Sequence, residues 1–345
     1  MRSTKPDTRD GSVSSIARRC PTRSRGSRSS QTAHTETRHS DHRTTEEHLI
    51  MTTLAFIGLG VMGSPMSVNA VRAGHRVVGY NRTPSKAAAL VEAGGTAVHS
   101  VPKAVADADI VATVLPDSPD VEQTMNGPDG VFAHAKPGTV IVDFSTVRPD
   151  VAVRLADQAA ERGHLFLDAP VSGGEEGAVN ATLSIMVGGS DQAVEAAAPL
   201  LHAVGSTVVH VGPSGSGQLV KAANQLIVAA NIAALAEALV YLEASGVQTT
   251  AAVEVLGGGL AGSTVLDHKA RRMIDRDFAP GARIDLHHKD LGIVTASARE
   301  AGLALPIGSL VATLMASARA NGDGGLDHAA LFRTVERLSG RLDSM

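Results

Sequence analysis

The chain has 345 residues, 43% hydrophobic and 19% charged, which is enough for two ordinary domains and a sizeable core. Its net charge of −4 is unevenly spread: residues 1–50 carry ten Lys/Arg against six Asp/Glu, and the remainder twenty-one against twenty-nine, so a tail of +4 precedes a body of −8. An acidic body points away from a nucleic-acid partner, and with Cys20 as the single cysteine the body can hold neither a disulfide nor a cysteine metal site.

Residues 1–50 are rich in Ser, Thr and Arg and nearly devoid of aliphatic side chains, so a disordered extension is expected there. They lack the apolar stretch of a secretory signal, and Asp7, Asp10, Glu36, Asp41, Glu46 and Glu47 argue against a transit peptide. Met51 opens a complete domain, which fits an over-long start assignment. No apolar run of about 20 residues is free of polar interruption, so no membrane span is expected, and the expected location is cytoplasmic.

Residues 51–213 read as an α/β domain. Leu54–Ile57 is a short strand that enters Gly58-Leu59-Gly60-Val61-Met62-Gly63, followed by a helix over Pro65–Ala73 and a strand over Arg76–Tyr80. In that setting G-x-G-x-x-G has a mechanism. Gly58 makes the tight turn, Gly60 lets a pyrophosphate approach the backbone, and Gly63 lets the helix pack close to the strand. The helix N-terminus then faces the phosphates. The second strand ends in Asn81-Arg82-Thr83, with no carboxylate to repel a 2′-phosphate and with Arg82 to bind one. NADP(H) is therefore the expected preferred cofactor and NAD(H) the lesser one. Further strands are expected over Asp109–Leu115, Thr139–Asp143, Leu165–Asp168, Leu183–Val187 and Thr207–Val211, giving a Rossmann-type doubly wound sheet. The fourth-from-last of these runs ends at Ser145-Thr146. The Leu165–Asp168 strand runs into Ala169-Pro170-Val171-Ser172-Gly173-Gly174, where Ser172, Gly173 and Gly174 form either a plain turn or a nest of backbone N–H groups suited to a carboxylate.

Residues 214–345 read as an all-α domain joined to the first through one long helix, Gly215–Tyr241, alanine-rich and free of proline. Lys221 is the only charge between Gly215 and Glu237. Gln218, Asn224 and Gln225 lie three or four residues from it, on the same helical face. An ammonium there either snorkels to water or is held by polar neighbours. The chain has seven lysines against twenty-four arginines, and lysine, unlike arginine, can exchange a proton near neutral pH. Helices follow at about Thr249–Leu256, Ser263–Ile274, Leu286–Glu300, Ile307–Ala320 and Asp327–Leu338. From spacing alone, Lys289 reads as half of an i,i+4 pair with Asp285 on a solvated face. His287 and His288 are adjacent, hence divergent on a helix, and no metal is expected.

Three segments carry a family resemblance over Thr53 to about Leu338. FIGLGVMGSPM at 56–66, DAPVSGG at 168–174 and GSGQLVKAAN at 215–224 resemble the nucleotide, substrate and catalytic signatures of the β-hydroxyacid dehydrogenases. Asn224-Gln225, GGLAGSTVLD at 258–267 and FAPGARIDLHHKDL at 278–291 narrow the likeness to 2-hydroxy-3-oxopropionate (tartronate semialdehyde) reductases. The resemblance implies that Lys221 is the catalytic lysine and that Ser172, Gly173, Gly174, Asn224 and Gln225 bind substrate. It also implies that Leu115, Pro116 and Thr146 contact the cofactor, and that Lys289 stands at the cofactor and substrate, which reverses the reading from spacing. Ala181 departs from the family's usual glycine and Ala282 from its usual phenylalanine, two changes that reshape the substrate cleft. The expected reaction is NAD(P)H-dependent reduction of tartronate semialdehyde to glycerate, with the hydride from nicotinamide C4 and the proton from Lys221. A 3-hydroxyisobutyrate or succinic semialdehyde reductase, and a non-catalytic NADP-binding interaction module, stay open as alternatives. A homodimer or homotetramer is the expected assembly.

Overall fold

The computed structural model describes residues 51–341; the extension expected to be disordered over residues 1–50 and Cys20 lie outside them. Nine strands form one sheet: β1 Thr53–Ile57, β2 Arg76–Tyr80, β3 Thr96–Ala97, β4 Ile110–Thr113, β5 Val140–Asp143, β6 Leu165–Asp168, β7 Val171–Ser172, β8 Leu183–Gly188 and β9 Gly205–Gly212. Helices α1 Gly63–Arg72, α2 Ala88–Glu92, α3 Val101–Val105, α4 Ser118–Asn126, α5 Val131–His134, α6 Pro149–Glu161, α7 Gly174–Val179 and α8 Asp191–Val204 alternate with them. After β9 the chain is helical: α9 Ser216–Ala244, α10 Thr249–Gly257, α11 Thr264–Ile274, α12 Ile284–Glu300, α13 Pro306–Ala318 and α14 Leu331–Leu338.

The first six strands run parallel in the order β3-β2-β1-β4-β5-β6, so the chain reverses its direction of winding beside β1 and leaves a crevice at the carboxyl ends of the strands. Alternation along each strand feeds two cores. Leu54, Phe56, Ile110, Ala112, Val140 and Val142 enter one, and Ala55, Ile57, Val111 and Ile141 enter the other. The far edge is not parallel throughout. β8 pairs antiparallel with β6 and β7, while β9 returns parallel to β8. Only two residues separate β6 from β7, and the β7-to-β8 connection holds just the short α7; antiparallel neighbours need no longer crossover.

A third apolar cluster lies among the C-terminal helices and is built around α9. By length and composition α9 could cross a membrane, but here it packs against β8, α6, α11, α12, α13 and α14. Its exposed positions Val220, Ala223, Ile227, Ala234 and Tyr241 share one face and are themselves apolar, which explains its weak amphipathicity.

Candidate active site

Gly58 has φ +98°, and a Cβ there would meet the Val114 carbonyl oxygen at 2.3 Å. At Gly63 a Cβ would meet the Gly58 oxygen at 2.0 Å, so both positions exclude a side chain for steric reasons. Gly60 is exposed with open space around it. Val61 and Met62 complete the turn, Leu59 is buried, and its N–H donates to Asn81 Oδ1 at 2.9 Å, fastening the turn to the end of β2. Asn81 Nδ2 in turn donates to the Thr83 carbonyl. Helix α1 has neither a side-chain cap nor an acidic residue in its first turn. Its N-terminal N–H groups are therefore not claimed by a carboxylate, which is the arrangement a dinucleotide phosphate requires. The Arg82 side chain is 76% exposed and meets Asp120 at 3.5 Å.

Lys221 is buried, with 8% exposure, so it does not snorkel. Its ammonium donates to the Val171 carbonyl at 2.8 Å and to Gln225 Oε1 at 3.0 Å. The first contact sets it beside Ser172, whose neighbours Gly173 (φ +136°) and Gly174 (φ +63°) start α7. Gln225 Oε1 also accepts from Asn224 Nδ2 at 2.8 Å, and Gln225 Nε2 donates to Asp290 Oδ2 at 2.6 Å. Burial pushes the Lys221 ammonium down to about 8; the Asp290 carboxylate opposes this and the Lys289 ammonium adds to it.

Lys289 does not pair with Asp285, which instead meets Arg319 at 2.9 Å. Its ammonium lies 3.0 Å from Asp290 Oδ1 and donates to the carbonyl oxygens of Pro116, at 3.2 Å, and Thr146. Helix α12 thus reaches the loop after β4, which carries Leu115 and Pro116, and the loop after β5. Leu115 N–H donates to Ser145 Oγ at 2.9 Å, tying those two loops together. The spacing-based reading of Lys289 as the partner of Asp285 does not hold.

Three further residues build the site. Asp168 is wholly buried at the end of β6 and accepts from Gly215 N–H at 2.7 Å and Gln218 N–H at 2.9 Å. It caps α9 from another strand. Gln218, expected beside Lys221, points elsewhere: its Oε1 accepts from Val147 N–H at 3.0 Å and its Nε2 donates to the Ser145 carbonyl at 2.8 Å. Asp290 was visible only as the neighbour of Lys289. Adjacent residues on a helix point apart, so nothing in the local pattern aimed it at Gln225.

The N-terminal half, residues 53–212, matches the model described as the NAD binding domain of 6-phosphogluconate dehydrogenase. Residues 215–335 match the NAD-binding domain of NADP-dependent 3-hydroxyisobutyrate dehydrogenase. The chain is 41% identical to 2-hydroxy-3-oxopropionate reductase of Escherichia coli (strain K12), over 83% of this chain and 98% of that protein. The chain belongs to the β-hydroxyacid dehydrogenase family. Another member, 2-(hydroxymethyl)glutarate dehydrogenase of Eubacterium barkeri, is 39% identical over 83% of this chain and 96% of its own length. Among solved structures, Mycobacterium tuberculosis 3-hydroxyisobutyrate dehydrogenase with L-serine superposes with a TM-score of 0.75 at 35% identity, covering 83% of this chain and 99% of that one. A β-hydroxyacid dehydrogenase takes a nicotinamide cofactor and acts on a CH–OH group, and the relatives that share this fold carry the names of several different substrates.

Proposed function

We propose that this β-hydroxyacid dehydrogenase reduces 2-hydroxy-3-oxopropionate (tartronate semialdehyde) to glycerate, with NADPH preferred over NADH and no metal. The observation that carries the reading is the buried Lys221 ammonium, held by Val171 and Gln225 beside the Ser172-Gly173-Gly174 turn. Residues 51–213 serve the cofactor, and residues 214–345 serve the substrate and the assembly of identical chains. Exposed apolar side chains such as Ile227, Tyr241, Val255 and Leu310 support that assembly.

NADPH, when bound, supplies the hydride to the aldehyde carbon. The turn from Gly58 through Leu59, Gly60, Val61 and Met62 to Gly63 receives its phosphates, Asn81, Arg82 and Thr83 its ribose end, and Leu115, Pro116, Thr146 and Lys289 its reacting end. Ser172, Gly173 and Gly174 orient the substrate carboxylate, and Asn224 and Gln225 its hydroxyl side. Lys221 hydrogen-bonds the carbonyl oxygen, stabilises the negative charge as it develops and gives up its proton. A pKa of about 8 leaves the lysine charged for reduction and within reach of deprotonation for the reverse oxidation. Gln225 and the likeness to the 2-hydroxy-3-oxopropionate reductase support this substrate over 3-hydroxyisobutyrate. The two substrates differ by a hydroxyl in place of a methyl, and a site that hydrogen-bonds that hydroxyl discriminates by more than the about 1–3 kcal/mol of one methylene, so a panel assay decides between them.

NADPH consumption with tartronate semialdehyde, methylmalonate semialdehyde and succinic semialdehyde tests the reading, and the first should have the highest kcat/KM. Lys221→Ala is expected to lower the rate by about 10²–10⁴-fold with NADPH affinity retained. Wild-type turnover by that variant sinks the mechanism. Loss of the exposed guanidinium in Arg82→Ala should lower the NADPH-to-NADH preference by about 10–100-fold, from one or two charge-assisted hydrogen bonds. An unchanged ratio removes Arg82 from cofactor selection.

A further inference from the structure

Behind the lysine lies a buried imidazole pair that the proposed reaction does not use. His287 on α12 is 2% exposed, and His328, in a short turn of 3₁₀ helix, is 8% exposed. Their Nδ1 atoms are 3.0 Å apart, and His287 Nε2 lies 3.1 Å from the Gln225 carbonyl oxygen. A carbonyl oxygen can only accept, so Nε2 of His287 carries its proton. A neutral imidazole has one N–H, which makes Nδ1 of His287 the acceptor and Nδ1 of His328 the donor. One assignment of tautomers satisfies the whole chain of contacts.

Both ends of that chain are fixed. His328 follows Asp327, a wholly buried carboxylate that accepts from the Gly281, Ala282 and Ala329 N–H groups and from the ammonium of Lys269, with the Arg272 guanidinium 3.2 Å away. At the other end, His287 and Asp290 are three residues apart on α12 and hold Gln225 at two points. His287 takes its backbone oxygen and Asp290 its side-chain amide. The amide oxygen of Gln225 is thereby left facing Lys221.

We propose that His287 and His328 are positioning residues: an imidazole pair of fixed tautomers that holds Gln225 in the register from which it orients the Lys221 ammonium. The inference rests on the assignment of Lys221 as proton donor. Its pH dependence follows from the surroundings. Burial holds both imidazoles below their ordinary value. Around His287, the Gln225 carbonyl and Asp290 favour the charged form, whereas Lys221 and Lys269 oppose it. Around His328, Asp327 favours charge, whereas His287, Lys269 and Arg272 oppose it. A proton that reaches His287 must go to Nδ1, where it confronts the N–H of His328, so the contact survives only if His328 changes tautomer.

Long-range proton–nitrogen NMR of the full chain near pH 7.5 reads the tautomers directly. We expect His287 protonated at Nε2 alone and His328 at Nδ1 alone; the opposite tautomers, or a charged His287, overturn the pair whatever the activity. Two variants of similar shape separate hydrogen bonding from space filling. His328→Asn keeps an N–H near the Nδ1 position, and His328→Leu removes it. We expect the Leu variant to lose about 10–100-fold in kcat with the KM for NADPH unchanged, as a displacement of a reacting group by an ångström or less would cause. The Asn variant should restore most of that loss. Equal kcat in the two variants overturns the positioning role. If the Leu variant fails to fold, the wild-type tautomers still decide on the pair, and an Asn variant slowed as much as His328→Phe overturns the positioning role. A wild type that shows the expected tautomers but reduces none of the semialdehydes counts against the proposed function and not against the pair.

Discussion

At the scale of single residues, the site turns on how far an ammonium can be withdrawn from water and still be charged when needed. Burial favours the neutral amine, and Asp290, reached through Gln225, restrains that tendency. Removing the restraint in Asp290→Asn should lower the Lys221 pKa further. Reduction requires the ammonium, so its rate should fall off at lower pH than in wild type, and oxidation should rise at correspondingly lower pH. A pH–rate profile in both directions checks this; an unshifted profile would mean that Asp290 acts only through Gln225's position. Lys221 itself was legible because a lone charge in an alanine-rich helix has no local excuse. Asp290 was not, because its partner is 65 residues away. Ala181 shows the opposite case. It stands where the family resemblance expects glycine, and its φ of +56° is the left-handed conformation that glycine adopts freely, at a cost to alanine of about 1–2 kcal/mol.

Among the elements, α9 does most to assemble the site. Its N-terminus runs so close to the sheet that a Cβ at Gly217 would meet the Met186 carbonyl oxygen at 2.3 Å. Its cap comes from Asp168, 47 residues from Gly215, while its own N-cap residue offers no side chain. One turn on, Gln218 binds the loop that holds Thr146, and Lys289 grips the same loop from α12. Helix and cofactor loop are therefore clamped from two sides. Gln218→Leu would leave the Ser145 carbonyl and Val147 N–H unpaired, and each such buried group costs about 1–3 kcal/mol. We expect urea unfolding to show a loss of that order together with weaker NADPH binding; a change in stability alone would separate the clamp from cofactor binding. The helix was legible from its composition and lack of proline. Its cap was not, since a carboxylate at the end of a distant strand leaves no mark at the helix start.

For the whole molecule, folding is linked to protonation through carboxylates enclosed by the sheet. Asp143 and Asp168 sit opposite each other at the ends of β5 and β6. Burial raises each to about 6, against hydrogen bonds that favour the charged form. Asp143 keeps Thr113 and Ser145 as donors to Oδ1, while Oδ2 has no partner among the described residues. A raised folded-state pKa means that the stabilising contribution is complete below the unfolded value of 3.8 and is lost as pH rises through about 6. Asp143→Asn should therefore be nearly neutral near pH 4 and stabilising above pH 6, by up to about 3 kcal/mol for a shift of roughly two units. Denaturant melts at the two pH values give the answer; a gain that does not depend on pH would show that charge burial is not its source.

The sequence by itself determined the nature and order of the elements. Short apolar strand runs, the glycine turn after the first of them and the long alanine helix are local patterns, and local sterics and solvation act on neighbours along the chain. It also marked Lys221 and the Ser172-Gly173-Gly174 turn as residues to watch. Only the tertiary structure decided which side chains meet: that Lys289 belongs to the loops of Pro116 and Thr146 and not to Asp285, that Gln218 faces away from Lys221, that the sheet ends in an antiparallel edge, and that two histidines stand behind Gln225. These choices join residues far apart in sequence. They are set by which arrangement leaves the fewest buried polar groups unpaired, a condition on the packed whole and not on any stretch of chain.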